Sequence, residues 1–222
     1  MRDFSMLDNP VWYALDGPHK NFAVRMDALM GYQADYGPFA ASINCTDLTK
    51  GMDDYHLHAG EFFVVGERPD YHGKLRLKRE LVCLQMICGQ KENIEITEDI
   101  ISLKRYRKQV IDLVNLVQPG FFRLKTMDMG DYSGIFKNGK LVAVTGERMQ
   151  LDGFSEVSAV VTHPEYIGKG YAKQLVGHVT NKVLGEDKIA FLHVSASNQR
   201  AIRLYENAGY RVRREISFWN FH

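Results

Sequence analysis

Hydrophobic and polar positions change period several times along the chain, and each change marks an element. Over residues 171–184, Ala172, Leu175, Val176, Val179 and Val183 recur at helical spacing, and Gly185 supplies a C-terminal stop. Ile189 to Val194 is a short apolar run that reads as a buried strand. Asn198 then offers an N-cap to a helix presenting Ala201, Leu204, Tyr205 and Ala208, which Gly209 ends, and Tyr210 to Phe221 alternates as a terminal strand. Upstream, Thr97 followed by Glu98 and Asp99 has the composition of a helix start. Ile100, Leu103, Val110, Ile111, Val114 and Val117 extend it as one helical stretch, with room for a single break, to Pro119-Gly120. Between 132 and 144, Asn138-Gly139 separates two apolar runs and predicts a hairpin closed by a type I′ turn. A second turn at Asp152-Gly153 leads into Phe154 to Val161, whose period of two puts Phe154, Glu156, Ser158 and Val160 on one face. The order is helix, three meandering strands, helix, strand, helix, strand. It predicts a mixed α/β fold whose central sheet is largely antiparallel and flanked by helices.

The first 95 residues are punctuated differently. Turn-rich stretches such as Asp35-Tyr-Gly-Pro-Phe and Asp53-Asp-Tyr-His interrupt every pattern, and only Glu61 to Val65 and Leu75 to Cys88 read as strands. The second run is apolar enough to be buried on both faces, so it either pairs within an N-terminal unit or extends the main sheet. The expected division is a smaller N-terminal lobe over 1–95 and a main domain over 96–222. Pro69-Asp-Tyr-His-Gly-Lys74 echoes Pro164-Glu-Tyr-Ile-Gly-Lys169, but the first copy has Leu75 where the second has Gly170. Shared turn chemistry explains the echo better than duplication.

Composition removes several function classes. Of 222 residues, 28 are Lys or Arg and 27 are Asp or Glu, and the net charge of +1 gives no chain-wide attraction for nucleic acid or anionic lipid. No apolar stretch reaches the ~18 residues of a membrane span, and residues 1–10 lack a secretory pattern, so a cytoplasmic protein is expected. Cys45, Cys83 and Cys88 are odd in number and lack ligand spacing, which suits reduced thiols in apolar positions. His56 and His58 have no third ligand nearby in sequence, so no metal is expected. The basic runs at 104–108 and 211–214 fit a solvated helix face and an alternating strand. Trp12, Tyr13 and the Tyr32 to Tyr36 region would line an acceptor pocket or form the core of the first lobe.

The chemistry concentrates in Val160-Val-Thr-His-Pro-Glu-Tyr-Ile-Gly-Lys-Gly-Tyr-Ala-Lys173, which joins a strand end, a glycine loop and a helix start. Gly168 and Gly170 let the backbone approach a ligand, the helix N-terminus adds partial positive charge and Lys169 a full one, a combination suited to pyrophosphate. A dinucleotide fingerprint needs glycine where Lys173 stands, and a Walker loop needs Gly-Lys-Ser/Thr where Gly170-Tyr171-Ala172 stands, so both fail. Ile167-Gly-Lys-Gly-Tyr-Ala172 resembles the R/Q-x-x-G-x-G/A loop of the GNAT superfamily of CoA-dependent N-acyltransferases. Downstream, Leu192-His-Val-Ser-Ala-Ser-Asn-Gln-Arg-Ala-Ile-Arg-Leu-Tyr-Glu-Asn-Ala-Gly-Tyr210 is similar to that superfamily's next strand and its N-x-x-A-x-x-L-Y-x-x-x-G-F/Y helix. The likeness covers residues 95 to 222. It departs from the pattern at Ile167, which replaces the usual Arg or Gln and offers only its amide.

The resemblance implies an N-acetyltransferase that uses acetyl-CoA as co-substrate and a small-molecule or peptide amine as acceptor, and it leaves a homodimer open. It further implies that the backbone of Val160, Val161 and Thr162 bonds the pantetheine arm and that Ile167, Gly168, Lys169, Gly170, Tyr171 and Ala172 wrap the pyrophosphate. Asn198 falls near the cofactor, though capping the last helix explains it equally well. Direct transfer needs a neutral amine and a protonated or otherwise stabilised leaving thiolate. Tyr205 matches the position of the acid, with packing as its other role. Glu156 is the first candidate for the base, His193 its rival and Glu147 a third, with a water chain as the alternative to any of them. The competing function is a non-catalytic CoA sensor or interaction module on the same fold.

Overall fold

The computed structural model describes residues 3–43, 47–91 and 93–222. Cys45 lies outside the described residues, whereas Cys83 and Cys88 are buried and in no disulfide among the described residues. In chain order the elements are α1 (Pro10–Asp16), β1 (Ala23–Met26), β2 (Leu29–Tyr32), β3 (Phe39–Ala41), α2 (Thr49–Ala59), β4 (Phe62–Gly66) and β5 (Leu77–Cys88). There follow β6 (Ile100–Ser102), α3 (Arg107–Val117), β7 (Tyr132–Lys137), β8 (Lys140–Leu151), β9 (Phe154–Thr162), α4 (Tyr171–Gly185), β10 (Ile189–Ser195), α5 (Gln199–Glu206) and β11 (Arg211–Phe221).

The strands form one 11-stranded sheet in the order β1-β2-β3-β4-β11-β5-β10-β9-β8-β7-β6. A parallel β-α-β unit occurs twice, as β3-α2-β4 and as β9-α4-β10. The long strand that follows each unit crosses over. β5 pairs with β10, β11 pairs with β4, and β5 and β11 pair with each other. Of its two open courses, therefore, Leu77–Cys88 extends the main sheet, which runs without interruption across residue 95. The echo at Pro69–Lys74 lies between β4 and β5 and precedes a strand, so it does not occupy the place of the glycine loop before α4.

The β7-β8-β9 meander, α4, β10, α5 and β11 match the periodicity. Asn138 and Gly139 take φ of 50° and 76°, as a type I′ turn demands. One stretch does not match. Residues 97–102 are not helical: Ile100 to Ser102 pair with β7 as an edge strand, and the Gln174 side-chain oxygen accepts the amides of Thr97 (2.8 Å) and Glu98 (3.0 Å). Those donors are met from α4, and helix starts only at Arg107. In the first half, α1, α2 and β1 to β3 escape the pattern because the strands are three or four residues long and their glycines serve packing instead of turns. A Cβ on Gly31, in the middle of β2, would sit 2.4 Å from the Tyr55 ring.

The two sheet faces bury separate clusters. α4 lays Val176, Val179 and Val183 against Met86, Val157 and Leu192, while α3 lays Val110, Leu113 and Val114 against Tyr132, Val144 and Val161 on the other face. Each such side chain stabilises the fold by about 1.5–3 kcal/mol.

Candidate active site

β9 and β10 are hydrogen-bonded neighbours only from Phe154, Ser155 and Glu156 to Ile189, Ala190 and Phe191. Beyond Glu156 the strands part. β10 keeps β5 on its other edge as far as Ser195, and β9 keeps β8, so the gap between them holds unpaired backbone groups. The parting coincides with a bulge: Ala159 takes φ 52°, and Ala159 and Val160 together oppose Thr145. The extra residue reverses the alternation. Val160 packs with Val157 toward α4 and α5, while Glu156 stays on the opposite face, so the expectation that the two share a face is corrected.

A cleft of about 620 Å³ occupies the gap. Val160, Val161, Thr162, Ile167, Ala172, His193, Asn198 and Tyr205 line it; Glu156, Gly168, Lys169, Gly170 and Tyr171 do not. Gly168 and Gly170 have φ of 87° and 78°, and an added Cβ at either would meet nothing within 4 Å, so conformation and open space, not packing, select glycine. Gly170 is the N-cap of α4, whose first amides lack helical acceptors. The Lys169 ammonium lies 5.0 Å from the Tyr166 ring centroid, and half-exposed Ile167 presents no side-chain donor. Tyr171 points its ring into the packing of Ile135, Val142 and Leu175, so only its backbone is available to the loop. The Asn198 side chain accepts from the Ala201 amide at 3.1 Å and caps α5. Tyr205 is 8% exposed, and burial raises its pKa, so its phenol keeps its proton near neutrality.

The charged centre lies at a second bulge, where Arg148 and Met149 of β8 together oppose Glu156. Arg148 grips Glu156 through two parallel bonds, Nε to Oε2 and Nη2 to Oε1, both 2.8 Å. His193 Nδ1 lies 2.8 Å from Glu156 Oε1. Burial raises the Glu156 pKa, but the Arg148 charge, the Arg148 hydrogen bonds and His193 outweigh it and hold the carboxyl down to about 2. Gln85 fixes the imidazole tautomer. Its Oε1 accepts from Arg213 (2.9 Å) and its Nε2 donates to the Leu7 carbonyl (2.7 Å), leaving the second N–H for His193 Nε2 at 3.2 Å. Nε2 therefore accepts, and Nδ1 carries the proton donated to Glu156. Both carboxylate and imidazole are committed within a buried chain from Arg148 to Arg213.

Glu147 stands apart from the cleft. Its carboxylate is held by Lys182 (2.6 Å) and the Ser155 hydroxyl (2.7 Å), beside a separate cavity of about 520 Å³ lined also by Lys104 and Asp131. Trp12 and Tyr32 are core residues with Tyr13 and Tyr36 packed against them, and none of the four lines the cleft. Sequence reasoning missed Arg148, Phe39, Phe121 and Phe122 as cleft-lining groups and Gln85 as the partner of His193. The available signals were an arginine inside an apolar strand, at Arg148, and a glutamine in a buried one, at Gln85. Among the described residues, no group of three or more His, Cys, Asp or Glu side chains converges as metal ligands, and no helix is long and apolar enough to cross a membrane.

Comparison with known proteins fits this geometry. The model of the FR47-like protein family matches residues 132–219. The crystal structure of a GNAT-family protein from Novosphingobium aromaticivorans is 32% identical, with a TM-score of 0.87 over 97% of each chain. A GCN5-related N-acetyltransferase from Kribbella flavida shares the fold at 14% identity (TM-score 0.64; 96% of this chain, 94% of that one). So does a GCN5-related N-acetyltransferase-like protein from Streptococcus suis at 13% identity (TM-score 0.62; 98% and 96%). No curated protein matches. With near-complete coverage at that first identity, and with strand parting and the α5 tyrosine in one cleft beside the glycine turn, the chain belongs to the GNAT family of acetyltransferases.

Proposed function

We propose that the protein transfers an acetyl group from acetyl-CoA to a primary amine by direct attack in the cleft between β9 and β10. The observation that carries this reading is the parting of those strands at the Ala159 bulge, which leaves β9 amides free beside the buried phenol of Tyr205. A CoA donor suits the residues present. Residues 160–162 would bond its pantetheine arm as an added strand, and the open left-handed turn at Gly168 and Gly170, with Lys169 and the start of α4, would take its pyrophosphate. Bound there, it supplies an acetyl thioester. A β9 amide at the parting would donate to the carbonyl oxygen as it gains charge. Tyr205, which holds its proton near neutrality, would give it to the departing sulfur and regain one from solvent.

The base is water in this reading. Glu156 is locked to Arg148 and His193 accepts from Gln85, so neither offers a free lone pair to an ammonium, and their role is to position Arg148. Residues 1–95 supply Phe39, Arg79, Leu81 and Cys83 to the far end of the cleft and thereby shape the acceptor pocket. The test follows free thiol from acetyl-CoA across an amine panel, with wild type and Tyr205→Phe compared. Amine-dependent release that Tyr205→Phe slows supports transfer. A rise in Tm with CoA but no release from any amine supports the sensor, the alternative that Ile167 and the committed acid–base groups favour.

A further inference from the structure

The acceptor end of the cleft has a composition that selects among amines. The titratable lining of the whole cleft consists of Arg79, Arg148, Arg200, His193, Cys83 and Tyr205, with no aspartate or glutamate, and Arg79, Arg148 and Cys83 of these belong to the acceptor end. Burial pushes the Cys83 thiol up to about 12, so it adds no anion. A polyamine or other polycation entering this space would meet cations and no counter-charge, and a like charge left unpaired in a desolvated pocket is strongly disfavoured. The same field lowers the pKa of an incoming ammonium, which helps an enzyme that has no free base.

Arg148 is built to receive an anion. Glu156 engages Nε and Nη2 and so fixes the plane of the guanidinium, and the group lies 4.5 Å from the Phe39 ring centroid. Nη1 has no partner among the described residues. The Arg148–Glu156 pair is neutral as a unit. Arg79, on the same face of β5 as Leu81 and Cys83, then supplies the unbalanced positive charge that an anion would cancel. Around these polar groups the cleft is apolar, with Val114, Val117, Phe121, Phe122 and Phe218 in its lining.

We propose that the acceptor is an amine bearing both a carboxylate and a bulky apolar side chain, as the larger apolar α-amino acids do, with the carboxylate met by Arg148 and Arg79 and the side chain seated among the phenylalanines. The proposal rests on the acetyl-transfer reading above and names its substrate class. Calorimetry can test it without turnover, using N-acetyl-L-phenylalanine and its neutral carboxamide as probes on the intact chain. The expected result is that the acid binds about tenfold or more tighter than the amide. In Arg79→Gln, an exposed position whose replacement leaves the core untouched, that ratio narrows several-fold. Equal binding, or a preference for the amide, overturns the proposal. Rates with acetyl-CoA separate this failure from failure of the parent reading. Spermidine turned over faster than phenylalanine overturns the acceptor class and keeps acetyl transfer. Preference for the acid without thiol release from any amine keeps the anion pocket and overturns transfer.

Discussion

At one end of the cleft, Val160, Val161, Thr162, Ile167 and Ala172 follow one another along a short stretch of chain; at the other, Phe39, Arg79, Arg148 and Phe218 arrive from four different strands spread over most of it. This first end, the one proposed for the cofactor, is made of backbone: freed amides, with two left-handed glycines and a helix start beside them. The acceptor end is made of side chains, and its position depends on strand neighbours set far apart in sequence. The difference predicts that damage at the first end is local and kinetic, whereas damage at the second reaches the stability of the whole sheet.

The largest expected effect is at the acceptor end. Glu156→Gln removes the counter-charge of Arg148, and unfolding in denaturant should show a loss of about 3–5 kcal/mol. Replacing Arg148 with Met in the same chain should restore much of it, since a neutral pair of similar volume avoids the buried charge. A single-variant loss no larger than that of a surface ion pair would erase the contrast between the two ends. Next, Tyr205→Phe keeps the packing but loses the proton, and kcat should fall about 100-fold with KM and Tm nearly unchanged. A parallel fall in Tm would assign this tyrosine to the core instead.

Gly170→Ala forces a Cβ into a left-handed backbone at about 1–2 kcal/mol, expected as weaker CoA binding with the acceptor KM unaltered. The smallest effect concerns pH. His19 bonds the Tyr32 hydroxyl at 3.0 Å, and burial lowers its pKa from 6.5 to about 4. The unfolded chain therefore takes up this proton first as pH falls. The histidine's contribution is complete above about pH 6.5 and is lost toward pH 4, at about 1 kcal/mol between pH 6.5 and 5.5. Glu156, depressed from 4.5 to about 2, contributes fully above the higher value and loses its share progressively as pH falls from there toward 2. Tm measured from pH 7 to 5 should slope less in His19→Gln than in wild type, and an equal slope would remove His19 from the account.

The glycine turn, the Asn cap and the helix that follows it were legible in the sequence because their signals are short-range. A glycine in a positive-φ turn, an Asn cap and a helical stripe each act within a few residues, and Gly168, Gly170, Asn198 and Tyr205 all stand where those signals put them. The same reading placed Glu156 beside Val160, because strict alternation has no way to register that Ala159 is bulged. It extended a helix over residues 97–102, where Gln174 supplies the acceptor for amides that a local cap would otherwise have served.

What the chain determined by itself is the set of elements in its second half, their turns and the left-handed glycine loop before α4, since backbone preference and side-chain period are local properties. Tertiary structure decided that β5 stands between β10 and β11, that a bulge in β8 sets Arg148 against Glu156, and that Phe39 and Arg79 join a cleft opened by residues far from them in sequence. Those outcomes depend on which strand buries its apolar face against which neighbour. That choice is made by the free energy of the assembled sheet, and no window of consecutive residues contains it.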